Sequence, residues 1–154
     1  MTRLWLIGAV AASITWACGE SSVCAIDLGA DIEQFTVDGY NNAVRQTGGG
    51  SAVNVTWSCT GGGSAQVTGT ANTQTITYDL TWTFHACMDG TLTLDGVMQD
   101  HTVNGAQTST KSETVHSDAL KMYGTAIGCD ANPIDATCVV DITDTTTSIC
   151  GLTN

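Results

Sequence analysis

A stretch of strict alternation between Thr75 and Cys87 constrains this chain more than any other feature. Its odd-numbered positions up to His85 are polar, and its even-numbered positions carry the apolar side chains of Ile76, Tyr78, Leu80, Trp82, Phe84 and Ala86. A β-strand places successive side chains on opposite faces, so the pattern predicts a strand with one buried and one hydrated face. Such an apolar face has to be covered by another element or by a ligand.

Turn signals around this strand predict an antiparallel meander. A period of two begins at Ala52, where Val53, Val55, Trp57 and Cys59 share one face, and the glycines of residues 61–63 then form a turn. Asp89-Gly90 is a hairpin signal. Asp95-Gly96 comes too early to end the partner of so long a strand, so we interpret it as a β-bulge. The strand then resumes up to Val103.

The second half of the chain is predicted to be less regular. Asn104-Gly105 marks the next turn and Ala106 to Val115 the next strand. Residues 116–136 are expected to be irregular, and residues 138–150 to form a short final hairpin.

The segment from Ala30 to Arg45 favours a helix, with apolar residues near one stripe at Ile32, Phe35, Tyr40, Ala43 and Val44. Gly39 weakens this interpretation, and a strand over Phe35 to Val37 competes with it. The predicted fold is mainly β: an antiparallel meander forming a curved sheet, half-barrel or sandwich, with an N-terminal helix.

The charge of the chain excludes one class of function. Fifteen acidic residues oppose four basic ones, which gives a net charge of −11. Binding to nucleic acid requires a basic surface that displaces counterions from phosphates, so we exclude nucleic-acid partners. The same argument excludes electrostatic adhesion to anionic lipid.

The first 17 residues have the layout of a secretory signal peptide. Arg3 supplies the positive region, Leu4 to Ala12 an apolar core and Ala17 a small residue at the end. The apolar run is shorter than the roughly 20 residues of a membrane-spanning helix. We therefore expect three parts: a signal peptide over residues 1–17, a lipidated tether over residues 18–29 and a single domain over residues 30–154.

The segment from Ile14 to Gly19 (ITWACG) resembles a lipobox, the sequence at which signal peptidase II cuts before a cysteine that carries lipid. The resemblance implies lipidation of Cys18 and attachment to a membrane through that lipid. In diderm bacteria, Gly19 after the lipidated cysteine implies sorting to the outer membrane.

The number of cysteines agrees with this interpretation, because seven is an odd count in an exported protein. If Cys18 carries lipid, six remain for three disulfides in an oxidising compartment; these are Cys24, Cys59, Cys87, Cys129, Cys138 and Cys150. Six cysteines allow 15 connectivities. We expect Cys138–Cys150, which would close the ends of the last hairpin.

Residues 51–151 also resemble small β-rich lipoproteins of Gram-negative bacteria. The resemblance rests on Thr81 to Cys87, on Thr91 to Gly96 and on the late Cys150-Gly151. It implies a location in the cell envelope and carries no activity with it.

The sequence carries no motif for catalysis or for a cofactor. Gly50-Ser51-Ala52 and Gly63-Ser64-Ala65 do not complete the G-x-S-x-G elbow of a hydrolase, and no cysteine pair has the CxxC spacing of a zinc site. His85 and His101 could meet across a hairpin beside Asp79 or Asp100, but we interpret the histidines as hydrated surface residues. The loop carboxylates match no EF-hand spacing, and calcium stays an open alternative.

Two functions remain. The chain is expected to be a lipid-anchored, non-enzymatic envelope protein that acts as a structural or interaction module. The alternative is a carrier of a small apolar ligand on the concave face of the sheet, lined by Trp57, Tyr78, Leu80, Trp82 and Phe84. A carrier needs an open apolar face, whereas a module should have that face packed shut.

Overall fold

The computed structural model describes residues 28–37, 39, 41, 51–72, 74–105, 109, 111–125 and 134–153. The predicted signal peptide, Cys18, Cys24 and Cys129 lie outside these residues. The helix, α1, comprises residues 28–37 and is also helical at Gly39 and Asn41. It already includes Leu28 and Gly29, which belong to the predicted tether, and Leu28 is buried. Tyr40, Ala43 and Val44 lie outside the described residues.

Eight strands form one antiparallel sheet in which each strand pairs with the next along the chain. This confirms the predicted meander, and the described residues form a single sheet rather than two packed sheets. The strands are β1 (Ala52–Ser58), β2 (Ser64–Asn72), β3 (Thr77–Asp89), β4 (Leu92–Val103), β5 (Ser112–Gly124), β6 (Ile134–Thr143), β7 (Thr147–Ile149) and β8 (Leu152–Thr153).

The turns lie where the sequence signals place them. The β1–β2 connection contains the three glycines, and Gly63 has a φ of 74°. A Cβ on Gly63 would lie 1.9 Å from the carbonyl oxygen of Ala86, so no larger residue fits there. Gly90 and Asn104, both with positive φ, follow the ends of β3 and β4.

Two bulges correct the predicted strands. In β3 the pairing with β4 shifts between Phe84 and Cys87, and Ala86 has a φ of 46°. The shift exposes Ala86, predicted to face inward, and buries Cys87 instead. An extra residue changes the alternation by one step, which a strict period of two cannot anticipate.

The second bulge lies in β5, where the pairing with both neighbours shifts around residues 118–119. Val115 and Ser117 are buried before it, and Leu120 and Met122 after it. Because the inward-facing positions change from odd to even numbers at the bulge, no single alternation runs through the strand. Residues 116–124, predicted to be irregular, therefore turn out to continue β5. Both irregularities adjoin Asp95-Gly96, where a bulge is predicted, and β4 runs on to Val103 as expected. The extra residues, however, belong to β3 and β5 rather than to β4.

The core lies between the apolar face of the sheet and α1. The helix contributes Leu28, Ile32 and Phe35 to it. The Phe35 and Phe84 rings meet edge to face with their centroids 5.9 Å apart. Among the described residues, α1 therefore covers the part of the apolar face that contains Trp82 and Phe84.

Candidate functional site

The five residues predicted to line a ligand face lie on one side of the sheet, but this side is covered. Leu80, Trp82 and Phe84 are fully buried, whereas Trp57 and Tyr78 are partly buried and pack against the core. Trp57 and Trp82 meet edge to face at 5.9 Å. The backbone of α1 approaches both rings at Gly39, where a Cβ would lie 1.9 Å from the Trp82 ring.

Two surface clefts in the described part of the chain are lined by residues other than Leu80, Trp82 and Phe84. A cleft of about 190 Å³ runs between α1 and the β3–β4 turn, lined by Asp31, Gln34, Phe35 and residues 89–92. A cleft of about 390 Å³ lies at the β5 bulge, lined by Gly96, Val97, Gln99 and residues 116–119.

The most unusual polar group of the core is Asp100. It points into the interior from the middle of β4 and is 0% exposed. Its Oδ1 accepts one long hydrogen bond of 3.5 Å from the Thr102 hydroxyl, and its Oδ2 has no hydrogen-bond partner among the described residues. A buried polar atom without a partner destabilises the fold by about 1–3 kcal/mol, and more if the group is charged.

The surroundings of Asp100 oppose its ionisation. Burial, the nearby Glu113 carboxylate and the more weakly acting Glu33 raise the pKa of Asp100 to about 7, although Thr102 and Lys111 act in the opposite direction. Burial and the charge of Glu113 also raise the pKa of Glu33. We call Glu33, Asp100 and Glu113 the carboxylate cluster.

Among the described residues, one cation, Lys111, lies beside the carboxylate cluster. Lys111 forms an ion pair with Glu113, whose backbone N–H donates to both carboxylate oxygens of Asp144 at 3.2 Å. The hydrogen bond to Glu113 is the main reason why the pKa of Lys111 is raised. In the part of the chain that the structure describes, three carboxyl groups thus lie near one ammonium group, which is already paired.

A separate charged group lies on the outer face of the sheet. His116 Nδ1 lies 2.6 Å from an Asp141 carboxylate oxygen, and His116 Nε2 lies 3.3 Å from one of Asp118. The hydrogen bond to Asp141 is the main cause that raises the pKa of His116, which favours the imidazolium form. Both ring nitrogens thus contact carboxylates, an arrangement that holds the ring in place.

The structure does not bring His85 and His101 together. His85 pairs with Ser64 on β2, whereas His101 pairs with Asp79 on β3 and with Thr114 on β5. Asp100, which the sequence placed beside these histidines, faces the interior. Within the residues that the structure describes, no group of three or more His, Cys, Asp or Glu side chains could hold a metal ion.

Two disulfides are present in the described residues. Cys138–Cys150, the predicted pair, is confirmed, and Cys59–Cys87 is the second. The Cys59–Cys87 bond connects the end of β1 to β3 across β2. Both disulfides indicate an extracytoplasmic protein.

The alternation of β4 indicates from sequence that Asp100 faces inward, because the even-numbered apolar residues of this strand share its face. Leu92, Leu94, Met98 and Thr102 share its even numbering, and all four are buried. Nothing in the sequence, by contrast, indicates that Glu33 and Glu113, 80 positions apart, lie close to Asp100.

Comparisons with known proteins leave the family open: no family model, curated protein or solved structure matches the chain. No described helix is long and apolar enough to cross a membrane.

Proposed function

We propose that this chain is a lipid-anchored, non-enzymatic protein of the bacterial envelope, whose β domain acts as a structural or interaction module outside the cytoplasm. The anchor is lipid on Cys18 after removal of residues 1–17, and the location is the outer membrane. The observation that carries the proposal is the pair of disulfides, which fits export of the chain by the N-terminal signal.

The number of cysteines supports the anchor independently of the lipobox resemblance. The two disulfides account for four of the seven cysteines and leave Cys18, Cys24 and Cys129. Three thiols cannot all pair within one chain. Lipid on Cys18 leaves Cys24 and Cys129 for a third disulfide, and every cysteine is then used.

The packing of the apolar face supports a module rather than an open carrier. Leu80, Trp82 and Phe84 are fully buried. Phe35 of α1 lies against Phe84, and Gly39 lies against Trp82. A carrier would need α1 to move before a ligand could reach this face. The non-enzymatic interpretation rests on the sequence, which carries no catalytic motif.

The test is the intact mass of the full chain, expressed with its leader in a Gram-negative host and extracted with detergent without reductant. We expect a chain that begins at Cys18, is heavier by a lipid adduct and has lost two hydrogens for each of three disulfides. Cys18→Ala should leave the membrane fraction. Cys24→Ala is the matched control, because it also removes a cysteine but should stay at the membrane.

Two results would contradict the proposal: a chain that retains residues 1–17 unmodified, or Cys18→Ala remaining in the membrane fraction. A bound apolar small molecule in the native mass spectrum of the wild type would favour the carrier instead.

A further inference from the structure

We propose that α1 is a pH-sensitive cover of the apolar face: it packs over Trp82 and Phe84 in the closed state, and it opens more often as the carboxylate cluster ionises. This inference goes beyond the proposed function and does not depend on the lipid anchor. It gives a conformational role to Asp100, a buried acid that does not stabilise the packing of the core.

The position of Asp100 requires its neutral form in the closed state. The side chain is inaccessible to water, its Oδ2 has no hydrogen-bond partner in the described structure, and its Oδ1 has only the long contact to Thr102. An ionised carboxylate in such a place is neither hydrated nor neutralised by hydrogen bonds. Ionisation therefore favours any conformation that admits water to Asp100.

The charges on the elements around Asp100 act mainly in the same direction. Glu33 belongs to α1, and Glu113 belongs to β5. Lys111, just before β5, is the cation that opposes them, but it pairs with Glu113 and is also influenced by Asp144. The direct neighbours of Asp100 in the sheet, Leu80 on β3 and Val115 on β5, are apolar. Ionised Asp100 is thus repelled mainly by Glu113 on the sheet and more weakly by the exposed Glu33 on the helix.

The helix is the element that can yield to this repulsion. Strand β4 is held on both sides by its pairing with β3 and β5, whereas α1 packs onto the sheet through Leu28, Ile32 and Phe35. Movement of α1 separates Glu33 from Asp100 and admits water without breaking the sheet. It also uncovers Leu80, Trp82 and Phe84.

The direction of the pH effect follows from proton linkage. The pKa of Asp100 is about 7 in the closed state, and release returns it towards its ordinary value of 3.8. Opening therefore releases a proton, and the opening equilibrium should rise about tenfold per pH unit between about pH 4 and pH 7, then level off. Seating of α1 is strongest in acid. Glu33, whose pKa is also raised, acts in the same direction.

Other groups with a raised pKa do not produce this effect. Protonated His116 stabilises the fold at low pH, but it lies on the outer face and contacts Asp118 and Asp141 rather than α1. Lys111, with a pKa raised above that of an ordinary lysine, stays charged throughout the window.

Hydrogen exchange of the full chain, followed by mass spectrometry at pH 5 and pH 7 with correction for intrinsic exchange rates, tests the proposal. We expect the protection of amides in residues 28–37 to fall about a hundredfold between the two pH values, while peptides from β3, β4 and β5 stay protected. The neutral dye Nile red should bind more strongly at pH 7 over the same range, because the apolar face opens.

Three variants make the test specific. Asp100→Asn should reduce the pH effect on α1 to less than about threefold. Glu33→Gln leaves the core unchanged and should shift the pH midpoint of the loss of α1 protection to lower pH. It tests the proposal even if Asp100→Asn does not fold. Asp79→Asn is the matched control, because Asp79 is exposed on the neighbouring strand and should behave like the wild type.

Three results would overturn the proposal. The first is hydrogen-exchange protection of α1 that does not change with pH. The second is a full pH effect on α1 in Asp100→Asn, and the third is a loss of protection in all strands together with α1. The last result would mean general destabilisation of the domain rather than movement of a cover.

Discussion

At the scale of single residues, Gly39 has a role opposite to its ordinary effect on helices. Glycine weakens a helix by about 1 kcal/mol relative to alanine, so in the sequence alone Gly39 is evidence against a helix. In the structure, a Cβ at this position would lie 1.9 Å from the Trp82 ring and 2.6 Å from the Trp57 ring. Trp82 is fully buried and cannot move aside freely.

We therefore predict that Gly39→Ala destabilises the domain by about 1–3 kcal/mol, because overpacking outweighs the gain in helix propensity. Urea unfolding followed by tryptophan fluorescence measures the change. Val37→Ala, at a 51% exposed position of the same helix, should change stability by less than about 0.5 kcal/mol. Stabilisation by Gly39→Ala would mean that α1 does not lie against the two tryptophans.

At the scale of elements, the two disulfides connect different parts of the sheet. Cys59–Cys87 spans 28 residues and links β1 to β3, whereas Cys138–Cys150 spans 12 residues and closes the last hairpin. The hairpin pair was predicted because its ends meet locally. The longer pair depends on the β3 bulge, which turns Cys87 to the buried side.

Removing a disulfide restores conformational freedom to the unfolded chain, and the loss of stability grows slowly with loop length. We expect the Cys59→Ala/Cys87→Ala double variant to lose about 3–4 kcal/mol and the Cys138→Ala/Cys150→Ala double variant about 3 kcal/mol. The free energy of unfolding in urea under non-reducing conditions provides the comparison. A clearly larger loss in the second variant would show that local packing, rather than chain entropy, dominates.

At the scale of the whole molecule, the net charge of −11 sets a general repulsion within the folded state. Raising the NaCl concentration from about 0.01 M to 0.15 M shortens the Debye length from about 30 Å to about 8 Å. We therefore expect the Tm to rise by a few degrees over this range, as measured by differential scanning calorimetry.

Calcium chloride at matched ionic strength is the control for this prediction. Screening alone should give the same Tm with either salt, whereas a much larger effect of calcium would indicate a specific site among the loop carboxylates. A Tm that falls with NaCl would contradict the idea that charge repulsion limits stability.

The fold class, the order of the strands, most of the turns and one disulfide could be predicted from the sequence alone. These features depend on local signals: the alternation of β3, the glycines of the turns, Asn104-Gly105, and two cysteines 12 positions apart. Local backbone geometry fixes them without reference to distant parts of the chain.

Three features depend on long-range packing and could not be predicted: the phase of β3 and β5, the burial of Trp82 and Phe84 under α1, and the formation of the carboxylate cluster. The bulges arise from pairing between strands, so they change which residues face inward without a strong signal of their own. The cluster unites Glu33, Asp100 and Glu113 from the helix and two strands. Such proximity depends on how α1 lies on the sheet, because charges far apart in sequence interact only once packing brings them together.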